Sequence, residues 1–355
     1  MGLALYEPGA DFTGRRRTLQ NRGSHRWGGM RGDDRVFVMR MSRRVVATDF
    51  GGPEVLSVTE VEVPDPGPGE VRIRVRAAGV NPADHKRYRG LFGKNPAEIP
   101  MGLGFEAAGE VTSVGPDATG PRGPISVGDE VIAYRTSEAY ADEIIVPGNT
   151  VLPKPPSLAW EPASGLMLVG ATATHAITAA AIEDGDTVLV HGAAGAVGIA
   201  TIQLARLRGA RIIGTASAAN HDFLRELGAE PVAYGDGLLE RVRDLEPHGI
   251  DAAVDLHGDD TAVDVSLALV PDRTRIVTVA AMERAQRDGF TAIGGGPGAD
   301  PGTELRNAAR LDLVDLVERG DLRVFVDSTF ALTDVVAAHE RSIAGHLRGK
   351  IVLVP

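Results

Sequence analysis

The run Thr187-Val188-Leu189-Val190-His191-Gly192-Ala193-Ala194-Gly195-Ala196-Val197-Gly198 sets an apolar strand, a glycine-rich turn and a helix opening in that order. A dinucleotide pyrophosphate needs close backbone approach and free N–H groups at a helix N-terminus, and this order supplies both. Ala194, Gly195, Ala196 and Val197 are the expected contacts: Gly195 allows the phosphate in, and Gly198 allows the helix to pack on the sheet. Ala193 stands where the common fingerprint has its first glycine, so the motif is a variant. A lone glycine triplet is weak, but the strand Arg211–Thr215 completes one βαβ unit of about thirty residues.

The end of that second strand addresses which dinucleotide is held. An NAD enzyme usually carries Asp or Glu ~20 residues beyond the turn, on the ribose hydroxyls. Here Ser217 stands nineteen residues past Gly198, and no acid occurs between Thr215 and His221. A hydroxyl tolerates a 2′-phosphate where a carboxylate repels it. Asn220 and His221 can donate to such a phosphate, although no Arg or Lys sits beside them. NADPH is favoured more by a missing acid than by a present base.

These residues need a scaffold of two parts, since 355 residues exceed one compact core. Segment 43–151 reads as short strands (Val45–Thr48, Val55–Val61, Val71–Ala78, Glu110–Val114, Glu130–Ala133, Asp142–Val146) punctuated by Gly and Pro. A helical stretch, Glu161–Ala181, precedes the glycine turn. Strands and helices then alternate: Ala196–Arg208, Arg211–Thr215, Asn220–Leu227, Val232–Tyr234, Ile250–Leu256, Thr261–Leu269 and Arg275–Ala280. Such alternation implies right-handed βαβ units and a parallel sheet. A Gly- and Pro-rich loop, Gly294–Gly302, leads to a helix near Glu304–Arg319, a strand near Arg323–Phe330, a helix Asp334–Ala344 and a closing strand Lys350–Val354.

Bulk composition excludes several functions. Cysteine is absent, which removes disulfides, thiolate nucleophiles and cysteine-based zinc sites. A net charge of −11 argues against nucleic acid, and no apolar run approaches the ~20 residues of a membrane span. Without an export signal, the expected location is the cytoplasm. Residues 1–40 hold eight arginines against four acids, leaving the rest near −15; they read as a disordered extension or a start assigned too early.

Several separated motifs resemble the medium-chain dehydrogenase/reductase superfamily, in its zinc-free quinone oxidoreductase branch related to zeta-crystallin. They are Phe50-Gly51-Gly52-Pro53-Glu54-Val55-Leu56, Ala77-Ala78-Gly79-Val80-Asn81-Pro82-Ala83-Asp84, Gly104-Phe105-Glu106-Ala107-Ala108-Gly109, Val127-Gly128-Asp129-Glu130-Val131, the glycine turn, and Arg348-Gly349-Lys350-Ile351-Val352-Leu353. The resemblance implies an α/β fold: a GroES-like β-rich catalytic domain (41–160), an inserted Rossmann doubly wound parallel-sheet domain for NADPH (161–302), and a C-terminal return to the catalytic domain (303–355). It also implies a homodimer or homotetramer.

Zinc-dependent relatives carry Cys where this chain has Asn81 and His where it has Phe105; Glu106 is retained, and its expected job is a structural hydrogen bond. The resemblance therefore implies metal-free hydride transfer to a small quinone or α,β-unsaturated carbonyl compound, whose enolate needs only a few hydrogen-bond donors. By motif position Asn81 and Lys86 are the catalytic candidates. Thr172, Tyr234, His257, Val279, Ala280, Arg348 and Lys350 join the turn, Ser217 and Asn220 as cofactor contacts. His191, ending the first strand of the motif, reads as a packed residue and not a base. Two alternatives remain: an enoyl-thioester reductase of the same superfamily, marked by an acyl channel and a basic patch, and a protein that binds NADPH without turnover. Specificity falls to the pocket loops Arg89–Pro100 and Met282–Gly298, the latter departing from the family pattern.

Overall fold

The computed structural model describes residues 40–355, which belong to one compact unit. The reading of residues 1–39 lies outside the described residues.

The first sheet is built on Glu70–Val80, where Val71, Ile73 and Val75 point inward while Arg74 and Arg76 point out. That period of two is what a sheet with one wet face requires. Towards its end, Ala77–Val80 is buried on both faces, because the strand runs under the rest of the protein. In-sheet neighbours run Val151–Pro153, Glu130–Tyr134, Glu106–Val114, Glu70–Val80, Lys350–Val354, Val326–Ala331, with Glu143–Pro147 also pairing Glu70–Val80. The chain's last strand thus returns to its first sheet, Ile351 opposite Val80 and Leu353 opposite Ala78.

The second sheet is wholly parallel, in the order Glu230–Ala233, Arg211–Ala216, Thr187–His191, Ala252–Asp255, Ile276–Thr278, Thr291–Ala292. Its strands are continuous apolar runs because both faces are covered. Alternate residues feed two cores. Val188, Val190, Ile212, Ala252 and Val254 meet the helices Leu166–Ala179, Ala196–Leu207 and Thr303–Glu318. Leu189, Ile213, Ala253 and Ile276 meet the helices Leu238–Leu245, Asp260–Leu269 and Met282–Asp288 on the other side. This is a Rossmann sheet, and its order reverses at Thr187–His191, where ligands settle outside the carboxyl ends of the strands.

Four elements differ from the sequence reading. The stretch Glu161–Ala181 is two helices, Trp160–Ala163 and Leu166–Ala179. The break at Ser164-Gly165 is forced by contact: a Cβ on Gly165 would lie 2.7 Å from Lys350 Cγ, and one on Gly79 2.4 Å from the Ser164 carbonyl. Met282–Gly298 opens as a helix, Met282–Asp288, where Arg284 ties Asp260, Asp264 and Asp288 together. Only the part after Ile293 remains loop. The amphipathic helix Leu238–Leu245 and the short helix Pro82–Tyr88 were not evident from the sequence. Among the described residues no helix is long and apolar enough to cross a membrane.

Candidate active-site cleft

At the switch point, Gly192 turns the chain with φ +70, and Gly195 N–H closes the turn onto the Gly192 carbonyl at 3.1 Å. The helix Ala196–Leu207 then starts without a side-chain cap. Its first-turn N–H groups lack intrahelical acceptors and carry the positive end of the helix dipole. The two glycines differ sharply. A Cβ on Gly198 would sit 2.5 Å from the Gly192 carbonyl oxygen, so Gly198 serves packing. One on Gly195 would meet only that oxygen, at 3.4 Å, so Gly195 keeps a patch of backbone bare. Ala194 is buried, Ala196 and Val197 half-buried, and the backbone of Gly349 pairs with Gly195 from the C-terminal segment.

Beyond the second strand, Asn220 Nδ2 donates to Ser217 Oγ at 3.3 Å, leaving both half-buried at the strand's carboxyl end. Three residues past Asn220, Phe223 carries the Arg348 guanidinium over its ring at 5.1 Å. The ring in turn meets Phe325 edge to face at 5.0 Å. The fold thereby brings a cation to a strand end whose own sequence has none. Tyr234, at the end of the third strand, is 51% exposed and so is not core. His257 is exposed and contacts Asp259 at 3.1 Å, while Val279 and Ala280 are half-buried beyond the fifth strand. His191 is fully buried between Ser266 and Thr215, and burial holds its pKa down at about 4, so it stays neutral.

At the first sheet, Asn81, Glu106 and Lys350 form a closed triangle. Lys350 Nζ lies 2.7 Å from Glu106 Oε1 and also donates to Asn81 Oδ1. Asn81 Nδ2 donates to Glu106 Oε1 at 3.2 Å and to the Gly79 carbonyl at 3.1 Å. Glu106 Oε2 accepts from Leu168 N at 2.8 Å, fixing the Leu166–Ala179 helix to this point. Lys350 is therefore not directed at cofactor phosphates as the sequence suggested; its ammonium is buried because Glu106 is its counter-charge. The Asn81 amide is likewise held inside the triangle. One turn along the same helix lies Thr172, 7% exposed.

Asp84, in the helix after Asn81, accepts from Asn81 N, Gly104 N and the Tyr140 hydroxyl. Burial pushes its carboxyl up to about 6 against those donors. Lys86 is half-buried, its pKa lowered by that burial, and its ammonium has no hydrogen bond or ion pair among the described residues. The two loops expected to line the pocket come near each other: a Cβ added to Gly295 would lie 3.8 Å from the Phe92 ring. Sequence reasoning did not single out Asp84 or Phe223, whose partners Gly104, Tyr140 and Arg348 stand far along the chain.

No group of three or more His, Cys, Asp or Glu side chains able to hold a metal ion occurs among the described residues. Residues 67–182 match the family described as alcohol dehydrogenase GroES-like domain, and residues 227–353 the family described as zinc-binding dehydrogenase. Quinone oxidoreductase of Pseudomonas aeruginosa is 33% identical over 335 residues, covering 89% of this chain and 100% of that one. The structure of quinone oxidoreductase from Coxiella burnetii superposes with a TM-score of 0.74 at 30% identity, over 89% of this chain and 100% of that one. A mycobacterial structure complexed with NADPH gives a TM-score of 0.77 at 29% identity, over 88% of this chain and 100% of that one. The chain belongs to the medium-chain dehydrogenase/reductase superfamily, within its quinone oxidoreductase-like family, and is an oxidoreductase.

Proposed function

We propose that the protein is a zinc-independent, NADPH-dependent reductase of quinones or α,β-unsaturated carbonyl compounds. The observation that carries this reading is the pairing of an open phosphate turn with a Glu106 carboxylate already saturated by Lys350, Asn81 and Leu168. Zinc ligation of the superfamily's usual kind needs donors at the positions of Asn81 and Phe105, and neither an amide held in a triangle nor a phenyl ring supplies one. A reaction that needs no strong Lewis acid suits such a site.

The residues fit a nicotinamide dinucleotide. The bare backbone at Gly195 and the uncapped helix start would hold its pyrophosphate. Ser217, Asn220 and Arg348 would hold a 2′-phosphate, with Tyr234 beside the adenosine. Thr172, His257, Val279 and Ala280 would border the nicotinamide half. Bound there, the cofactor supplies a hydride. The chain's own part is to orient the acceptor, keep water out beneath the approach of the Phe92 and Gly295 loops, and place the Lys86 ammonium as a donor to the oxygen on which charge develops.

Mixing purified protein with NADPH and a panel of quinones and enones, while following reduced-nicotinamide absorbance, tests the reading. Consumption with a conjugated acceptor, undiminished by a chelator, is the expected result. Tight NADPH binding with no turnover on any acceptor would overturn it.

A further inference from the structure

Three arginines gather where the turn after the strand Glu130–Tyr134 meets the helix Thr303–Glu318, and none forms an ion pair among the described residues. Arg135 Nη1 donates to Asn307 Oδ1 at 3.2 Å. Arg310 donates to two backbone carbonyls, those of Asn307 and Asn149, each at 3.0 Å. Arg306 gives its Nε to His175 Nδ1 at 3.2 Å, and its Nη2 is enclosed with no partner. The carboxylate of Asp300 is turned to His175 Nε2 at 3.2 Å and is 62% exposed. Burial lowers the pKa of both Arg306 and Arg310 and the charge of Arg135 adds to it, while the Tyr134 side chain and, for Arg306, the Asp300 carboxylate act the other way. In a chain of net charge −11, such a cluster is electrostatically out of character.

The position of the cluster ties it to the reaction site. Arg135 holds φ +71, unusual for a side-chain-bearing residue. What holds it is Phe105, whose carbonyl accepts from both Arg135 N and Thr136 N, at 3.0 and 3.1 Å. Tyr134, the residue before, is the register partner of Glu106. His175 lies one turn beyond Thr172 on the Leu166–Ala179 helix. Asp300 pairs with Ile293 at the base of the loop whose Gly295 lies near Phe92.

We propose that Arg135, Arg306 and Arg310 form a subsite for an anionic group, a carboxylate or a phosphate, carried by the substrate away from its reducible double bond. This rests on the reductase reading and narrows its substrate class to acidic acceptors. Guanidinium groups match both anions with paired, charge-assisted hydrogen bonds. An anion here relieves the mutual repulsion of the three cations and faces N–H groups that have no acidic partner. The simple neutral quinone then becomes a surrogate substrate, binding without use of this subsite.

Two matched acceptor pairs test the subsite: an enone carboxylate against its methyl ester, and an enoyl-coenzyme A against the corresponding neutral pantetheine thioester. In the wild type the acid member of at least one pair should lead its neutral partner by about tenfold or more in kcat/KM, through KM. Which pair shows it identifies the anion as carboxylate or phosphate. Arg135→Gln and Arg310→Gln should each collapse that ratio towards one. Ratios near one in the wild type for both pairs, or an unchanged ratio in both variants, would overturn the proposal while leaving the reductase reading intact. If no acceptor turns over, calorimetry with the saturated acid and ester still reads the subsite. Acid-selective binding that is lost in Arg135→Gln supports it, and equal binding overturns it.

Discussion

Lys350 and Glu106 stand 244 residues apart in the chain and 2.7 Å apart in the fold, with side chains 2% and 0% exposed. The pair joins the last strand to the strand that carries Glu106, and Leu168 N on the other carboxylate oxygen joins the Leu166–Ala179 helix to both. Removing one partner strands a buried charge, which costs about 3–5 kcal/mol. Lys350→Met should therefore lose about that much in urea unfolding, whereas Lys350→Met with Glu106→Gln should recover most of it. A single variant as stable as the wild type would show the pair to be incidental.

The two glycines of the turn should separate folding from binding. Gly195→Ala places a methyl group in space open but for one oxygen at 3.4 Å, at a φ of −72 that any residue adopts. It should melt like the wild type yet bind NADPH about tenfold or more weakly, since the methyl group occupies the phosphate approach. Gly198→Ala meets backbone at 2.5–2.7 Å and should lower the melting temperature itself. Calorimetric melts and fluorescence titration of the reduced nicotinamide decide both. Equal cofactor affinity in Gly195→Ala would remove the turn from the site.

Lys86 lies in the helix that follows Asn81, and its ammonium has no ion pair among the described residues. Lys86→Met should reduce kcat by roughly 10–100-fold with NADPH affinity intact, and Lys86→Arg should restore part of it. Burial lowers the Lys86 pKa, so activity that depends on the charged form should fall, as pH rises, before the ordinary lysine value of 10.5. A pH profile unchanged by Lys86→Met would assign the proton donor elsewhere.

Much of the scaffold was legible because it is written in local periods. The apolar run Thr187–His191 and the alternating Val71-Ile73-Val75 set each announce a strand and its buried faces. The break at Ser164-Gly165 was not legible, because its cause is Lys350, far away in sequence. The helix Met282–Asp288 was hidden by its charge: its anchor is Arg284 reaching Asp260 and Asp264, contacts that carry no hydrophobic period. The same limit applies at the site. The sequence beside Ser217 holds no basic residue; Arg348, named from its motif position, comes near that strand end only through its stacking on Phe223, 125 residues away in the chain.

That stacking leads to a prediction on cofactor choice. Arg348 has its backbone N–H held by Asp327 at 2.9 Å and its guanidinium over the ring of Phe223 at 5.1 Å, three residues past Asn220. Arg348→Ala should raise KM for NADPH about tenfold and leave that for NADH nearly as it was. Binding of 2′-phospho-AMP, measured against 5′-AMP, should lose the same factor without any turnover. A parallel loss for both nucleotides would mean that Arg348 serves the fold, not the phosphate.

His339 should make the protein sensitive to mild acid. Its ring is fully buried, with Tyr88 Oη 3.0 Å from Nδ1 and the Tyr140 ring edge-on at 5.9 Å. Burial, aided by the charge of His85, lowers its pKa from 6.5 to about 3. A base depressed in the folded state contributes stability above its unfolded pKa, and that stability is lost as pH falls below 6.5. His191, lowered to about 4, acts in the same direction. Asp84 opposes them: raised from 3.8 to about 6, its burial costs stability as pH rises across that window. His85, lowered to about 4 by burial and the charges of Lys86 and Arg89, adds to the effect of the histidines. The three histidines outweigh the one carboxyl, so unfolding free energy should drop between pH 7.5 and pH 5. His339→Gln keeps an acceptor for Tyr88 and removes the titration, which should shrink the drop by about 2 kcal/mol at pH 5. Denaturant unfolding of both proteins at the two pH values measures it, and an undiminished drop in the variant would place the acid sensitivity in other groups.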